Sequence, residues 1–144
     1  MAITQALPNS FKKQLLDGDQ DFSSAGGDKF KLALYVSTAT LGAATTSYTT
    51  GGEVSSSGTG YTTGGKALVN SGTSVVSTVA FTDFADLSFT SVTLTARGCL
   101  IYNTSFSNSA VAVLNFGADK TATSGTFTIQ FPAFTSSAAI IRIS

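Results

Sequence analysis

The chain has 144 residues, with eight basic and eight acidic side chains, one cysteine, and no histidine or tryptophan. That length supports one domain with a core of its own. The sparse, balanced charge excludes the basic stripe a nucleic-acid binder needs. The missing histidine excludes Ser-His-Asp and Cys-His catalysis and any His-ligated metal.

Ser and Thr supply 42 of the residues, against 14 Gly and 2 Pro. Thr favours strands and Ser favours turns, so the composition points to a loop-rich β protein rather than a Pro-rich disordered tract. The first residues contain no long apolar core. No signal peptide is expected, and the chain is expected to be made in a cytoplasm and to leave it, if at all, by another route. No stretch approaches the roughly 20 apolar residues of a membrane helix, so no membrane partner is expected.

Residues 1–8 read as extended or irregular, ending at Pro8. Asn9 or Ser10 is placed to cap a short helix over residues 11–16, which Asp17-Gly18-Asp19 ends. Phe11 and Leu15 share a face of it, with Leu16 alongside. The helix suits two roles, a lid on the open end of a β core or an arm docking on a neighbouring subunit. Asp17, Asp19 and Asp21 fall at positions one, three and five of a calcium-loop spacing, with Asp28 at twelve. Phe22 stands where that loop needs glycine, so a hydrated turn is expected instead, and no metal or cofactor is expected.

Residues 29–36 alternate, placing Phe30, Leu32, Leu34 and Val36 inward and Lys29 and Lys31 toward solvent, as on an edge strand. Residues 37–65 are rich in Thr, Ser and Gly. Within them Tyr48-Thr49-Thr50-Gly51-Gly52 recurs as Tyr61-Thr62-Thr63-Gly64-Gly65, each copy followed by a charge, Glu53 or Lys66. Two copies are too few for a solenoid and read as a pair of similar turns or one long flexible loop. Tyr48 and Tyr61 are expected to be exposed there, able to stack on a sugar or pack in an interface.

Residues 66–69 read as a short strand, Asn70-Ser71-Gly72 as a turn, residues 73–81 as one strand, and residues 82–86 as a loop carrying Phe84. The centre of the chain is residues 87–116. Alternation from Leu87 changes phase between Ser91 and Val92, where a bulge is expected. Arg97-Gly98 interrupts the run and residues 99–102 resume it. Residues 103–109 have turn composition, and residues 110–116 are apolar almost throughout, as in a strand covered on both faces. Residues 117–125 read as a polar loop in which Asp119 and Lys120 pair. Residues 126–131 alternate until Pro132 stops them, and residues 138–143 read as a last strand.

About seven or eight short strands at this spacing predict an all-β fold, an antiparallel β-sandwich or jelly roll with a short N-terminal helix. Residues 1–28 are read as an N-terminal arm and residues 29–144 as the β-sandwich domain. No constellation makes a catalyst. Ser10-Phe11-Lys12-Lys13 matches Ser-x-x-Lys without its partner motifs. Cys99 sits in an apolar run, as a buried, inert thiol does. Asp83 and Asp86 share a loop as solvated carboxylates. Asn103-Thr104-Ser105 is a glycosylation sequon without a secretory context.

Several pieces follow one another in a recognisable order: Phe30-Lys31-Leu32-Ala33-Leu34-Tyr35, Gly58-Thr59-Gly60-Tyr61-Thr62-Thr63-Gly64-Gly65, Thr95-Ala96-Arg97-Gly98-Cys99-Leu100-Ile101-Tyr102-Asn103, Phe116-Gly117-Ala118-Asp119-Lys120 and Gly125-Thr126-Phe127-Thr128-Ile129-Gln130-Phe131-Pro132. In that order they resemble a family of small virion structural proteins of tailed bacteriophages, from about Phe11 to Ile143. The resemblance implies a non-enzymatic capsid decoration, or cement, protein. Its partners would be the major capsid protein and further copies of itself, a homotrimer being favoured, and its place would be the capsid surface of a virion assembled in the host cytoplasm. Other members of such phages are tail components, head fibres and adhesins, so a module binding a host surface glycan through Tyr48 and Tyr61 is the alternative. Phe11, Leu15 and Leu16 on the helix, and Ile140, Ile141 and Ile143 at the C-terminus, are the candidate subunit or shell contacts.

Overall fold

The computed structural model describes residues 2–144. One helix, α1 (Asn9–Asp17), precedes seven strands: β1 (Phe30–Tyr35), β2 (Lys66–Ala67), β3 (Asn70–Val76), β4 (Val79–Phe84), β5 (Leu87–Asn103), β6 (Ser109–Ile129) and β7 (Ile141–Ile143). They form two antiparallel sheets, one in the order β2-β1-β5-β6 and a smaller one in the order β3-β4-β7. The all-β expectation with one short N-terminal helix holds.

Pro8, not Asn9 or Ser10, is the residue before the first helical turn, and no side chain caps α1. With φ −56° and ψ 146° Pro8 lies just outside the helix, where its missing N–H costs no intrahelical hydrogen bond. The Ser10 hydroxyl is instead buried without a hydrogen-bond partner among the described residues. Gly18, at φ 80°, ends the helix in the left-handed conformation open to glycine. Phe11 is fully buried beside Phe22, which stacks on Phe30 at 4.7 Å. The helix therefore closes the core with this residue. Burying such a side chain stabilises by about 1.5–3 kcal/mol.

Residues of both sheets share one apolar cluster, including Leu32, Leu34, Cys99 and Ile101 from the larger sheet and Phe84 and Ile141 from the smaller. A second cluster lies on the opposite face of the larger sheet, around Ala33, Tyr35, Leu100, Tyr102 and Val113. This second cluster explains why β1 is not the expected edge strand. Residues 37–65 fold back along β1, the Val36 amide donating to Gly52 O and the Val54 amide to Leu34 O, and just beyond them the Leu68 amide donates to Phe30 O. Ala33 and Tyr35, which alternation assigns to the outer face, are thereby buried.

The N-terminal segment seals another margin. Ala6 and Val113 exchange backbone hydrogen bonds, and the Asn115 side-chain amide donates to Ile3 O at 2.8 Å. Gly98 belongs to this contact, since a Cβ there would lie 2.4 Å from Leu114 O and 3.0 Å from the Ile3 side chain. It allows close approach and does not interrupt β5, which runs unbroken through Arg97-Gly98.

Further expectations are corrected. Residues 73–81 are not one strand: Ser77 and Thr78 form a two-residue hairpin turn between β3 and β4, with Ser77 at φ 55°. Such turns need positive φ and usually advertise it with Gly or Asn, which this run lacks. The expected turn at residues 70–72 lies in β3, marked only by a register shift, and Phe84 and Asp83 are strand residues, not loop residues. Residues 117–125 are not a loop but the middle of β6, with Leu94 opposite Ala122 and Thr95 opposite Thr121. Their polarity reflects an uncovered outer face, where Ser88 bonds Thr128 and Thr95 bonds Thr121 through hydroxyls. Asp119 accordingly pairs across the strands with Arg97 at 2.8 Å, not with Lys120. The bulge expected near Ser91 is present: the register shifts between Phe89 and Val92, and Ser91 has φ 54°. Of residues 138–143 only Ile141–Ile143 form a strand.

Candidate functional site: an apolar ledge beside the first helix

The inner face of the smaller sheet extends past the core it helps to enclose. Register places Thr73, Thr82 and Ile141 in one transverse row, and Val75, Ala80 and Ile143 in the next row of the same face. Thr82 and Ile141 are buried, whereas Val75 is 66 % and Ile143 55 % exposed. One face thus passes from core to solvent with the apolar Val75, Ala80 and Ile143 as its outer row and Thr73 as an exposed polar neighbour. Beneath it is a recess of about 310 Å³, lined by Leu15 of α1, Phe22, Ala80, Ile141 and Ile143 among others.

The ledge gathers residues from both ends of the chain. Of the six candidate contacts, the structure brings Leu15, Ile141 and Ile143 together around this recess. Leu16 is 91 % exposed and lies outside the recess lining. Ile140 is partly buried against the main core. Phe11 is inside the core and is not a surface contact in this structure. Ile141 is likewise nearly closed off, as a terminal strand paired with β4 requires. Val75 and Ala80 were not among the candidates, because their adjacency to Ile143 depends on strand register across three separate segments. The recess lining is mixed, with Gln20, Asp21, Ser23, Thr73 and Thr82 beside the apolar residues, and no catalytic grouping among them. What it can supply is burial of apolar area against another surface, worth about 1.5–3 kcal/mol for each large side chain fully covered.

The exposed-tyrosine expectation is corrected by a second cluster. Tyr61 is 3 % exposed, and its hydroxyl donates to Glu53 Oε1 at 2.7 Å while accepting the Leu34 amide at 3.0 Å. The Tyr48 hydroxyl donates to Glu53 Oε2 at 2.6 Å, and the Gly64 amide also donates to Oε1 at 2.7 Å. Tyr48 stacks on Tyr102 at 4.7 Å, Tyr102 donates to Gly64 O at 2.6 Å, and Tyr35 donates to Thr49 O at 2.6 Å. Burial first, with Glu53 adding to it, raises the hydroxyl pKa of Tyr35, Tyr48, Tyr61 and Tyr102. They remain protonated donors. The two Tyr-Thr-Thr-Gly-Gly copies are therefore the two jaws of a clamp on one carboxylate, which ties residues 37–65 onto β1. Gly65 permits it: a Cβ there would fall 1.8 Å from Leu32 O.

The remaining polar candidates are structural. Asp28 Oδ2 accepts the Asp21 amide at 3.0 Å and the Asn103 side-chain amide at 2.7 Å. Among the described residues no three His, Cys, Asp or Glu side chains are grouped to hold a metal. Asn103 is fully buried, donating to Gln20 and Asp28 and accepting from the Ser105 and Phe106 amides, so its sequon is inaccessible in the folded chain. Burial pushes the Cys99 thiol pKa up, away from reactive thiolate. Asp83 is buried, not solvated: Oδ1 accepts the Phe84 amide at 2.9 Å, and Oδ2 has no hydrogen bond of ordinary geometry among the described residues. No described helix is long and apolar enough to cross a membrane.

Comparison with known protein families, with curated proteins and with solved structures finds no match to this chain.

Proposed function

We propose that the chain is a non-enzymatic structural protein of a tailed-phage virion, a decoration protein that binds the outside of the major capsid shell and holds adjacent capsid subunits together. In this reading the two sheets stack as an antiparallel sandwich of jelly-roll type. The observation that carries the proposal is the apolar ledge at Leu15, Ile141 and Ile143, next to the exposed Val75. It is an exposed, largely apolar surface with Asp21 among the residues that line its recess. The sequence resemblance supplies the identity of the surface it meets. Binding only the assembled shell would make shell separation costlier by linkage.

The alternative, a fibre or tail module gripping a host glycan through Tyr48 and Tyr61, is less favoured by the placement of these residues, Tyr48 being partly exposed. Tyr61 is buried and both hydroxyls are committed to Glu53. The test is immunogold labelling of purified particles, followed by heating shells with and without the protein. Dense label over the head and earlier genome loss from bare shells are expected. Label confined to the tail, or equal heat stability of the two shells, would overturn the decoration reading.

A further inference from the structure

We propose that the outer edge of β3, over residues 73–76, pairs antiparallel with the same edge of a second copy of this chain. The argument begins with how the other sheet margins are closed. β2 is two residues long. β7 is three residues long and carries Arg142. The upper edge of β6 is covered by residues 3–6, and its lower part is broken by register shifts and carries Asp119 and Lys120. Short strands, charges, bulges and covering segments are the usual means by which proteins prevent edge-to-edge association.

β3 lacks these defences over its outer half. It pairs on one side only, with β4, and from Gly72 to Val76 that pairing runs in unbroken register. Residues 73–76 are all exposed and none is charged. Val75 and Val76 are 66 % and 52 % exposed. A row of unpaired strand N–H and C=O groups invites another strand.

The second copy fits this edge for a geometric reason. An antiparallel strand edge, read in the opposite direction, is its own complement, so two copies related by a two-fold axis satisfy each other's donors and acceptors. With no charge on either edge, nothing repels across the axis. Pairing would merge two three-stranded sheets, each at the small end of the usual range, into one six-stranded sheet. It joins copies two at a time through the backbone edge of the strand whose Thr73 and Val75 side chains border the ledge, and does not rest on the virion reading.

The test is sedimentation equilibrium of the whole chain up to millimolar concentration, with hydrogen exchange read at residues 73–76. The wild type is expected at twice its 14.7 kDa monomer mass, with the outward-facing amides of that segment, those not bonded to β4, protected in concentrated but not dilute solution. Ser74→Lys combined with Val76→Lys puts like charges face to face, on the side of the sheet away from the ledge. It is expected to halve the mass with an unchanged melting temperature. Ser74→Thr with Val76→Thr, which preserves strand propensity, should remain dimeric, as should Ile143→Asp. A monomeric wild type overturns the proposal. So does a dimer that survives the lysine pair, or one that Ile143→Asp dissociates while the lysine pair does not.

Discussion

The Tyr61 hydroxyl lies 2.7 Å from the Glu53 carboxylate and 3.0 Å from the Leu34 amide nitrogen. It serves at once as donor to the residue that follows the first Tyr-Thr-Thr-Gly-Gly copy and as acceptor for the middle of β1. Removing it orphans a buried amide and takes one donor from the carboxylate. Tyr61→Phe is expected to destabilise the chain by about 1–3 kcal/mol, the cost of leaving such groups unpaired. Tyr48→Phe leaves no buried amide unpaired, since the Gly64 amide keeps Glu53 Oε1, and should cost less. Urea unfolding of the two single variants and the double variant checks this. Because both hydroxyls share Glu53, their effects should be non-additive. Strict additivity would argue against a common clamp.

Asp83 supplies a pH dependence. Burial, followed at a distance by the Asp86 charge, raises its carboxyl pKa, while the Phe84 and Ile140 amides oppose the rise. The folded pKa therefore lies above the unfolded one. The stability this group contributes is fully present below the unfolded value, about 3.9, and is lost as pH rises through the raised folded value. Asp83→Asn removes the buried charge. It should stabilise the protein at pH 7 by on the order of 1 kcal/mol, and the gain should vanish as pH falls toward 4. Thermal unfolding across that range is the measurement. A gain independent of pH would locate its origin in packing and not in ionisation.

The ledge separates binding from folding. Leu16 and Ile143 are exposed, so Leu16→Asp with Ile143→Asp should change stability by no more than about 0.5 kcal/mol per site. Phe11→Ala empties a fully buried site and should cost about 3–5 kcal/mol. If the ledge meets a shell, the first pair abolishes particle association at near-normal stability. Cosedimentation with particles, beside a melting curve of each free variant, distinguishes the two effects. Full retention of binding by Leu16→Asp with Ile143→Asp would move the contact elsewhere.

Some of the interior was legible in the residues one by one. Period-two alternation identified Phe30, Leu32 and Leu34 of β1, Phe89 of β5, and Phe127 and Ile129 of β6 as inward-facing, and all are buried. The phase change at Ser91 marked a real bulge. The same reading failed where local composition and tertiary pairing disagreed. Residues 117–125 look like a loop because Gly, Asp, Lys, Thr and Ser are turn formers. Lys120, Thr121, Ala122 and Gly125 are strand residues because β5 pairs with them, with a register shift on either side, while residues 117–119 have no partner in β5.

The amino-acid sequence by itself determined the class of the protein: all-β, with one short helix, no histidine chemistry and little charge, since these follow from composition and from a two-residue period. Only the tertiary structure decided what the special residues do. Whether Tyr48 and Tyr61 face solvent or one carboxylate depends on how residues 37–65 fold back over β1. Whether Leu15, Val75 and Ile143 form one surface depends on the register of β3, β4 and β7. Both are contacts between residues distant in the chain, fixed by which pairing buries the most apolar area and leaves the fewest buried polar groups unpaired, and no local pattern encodes them.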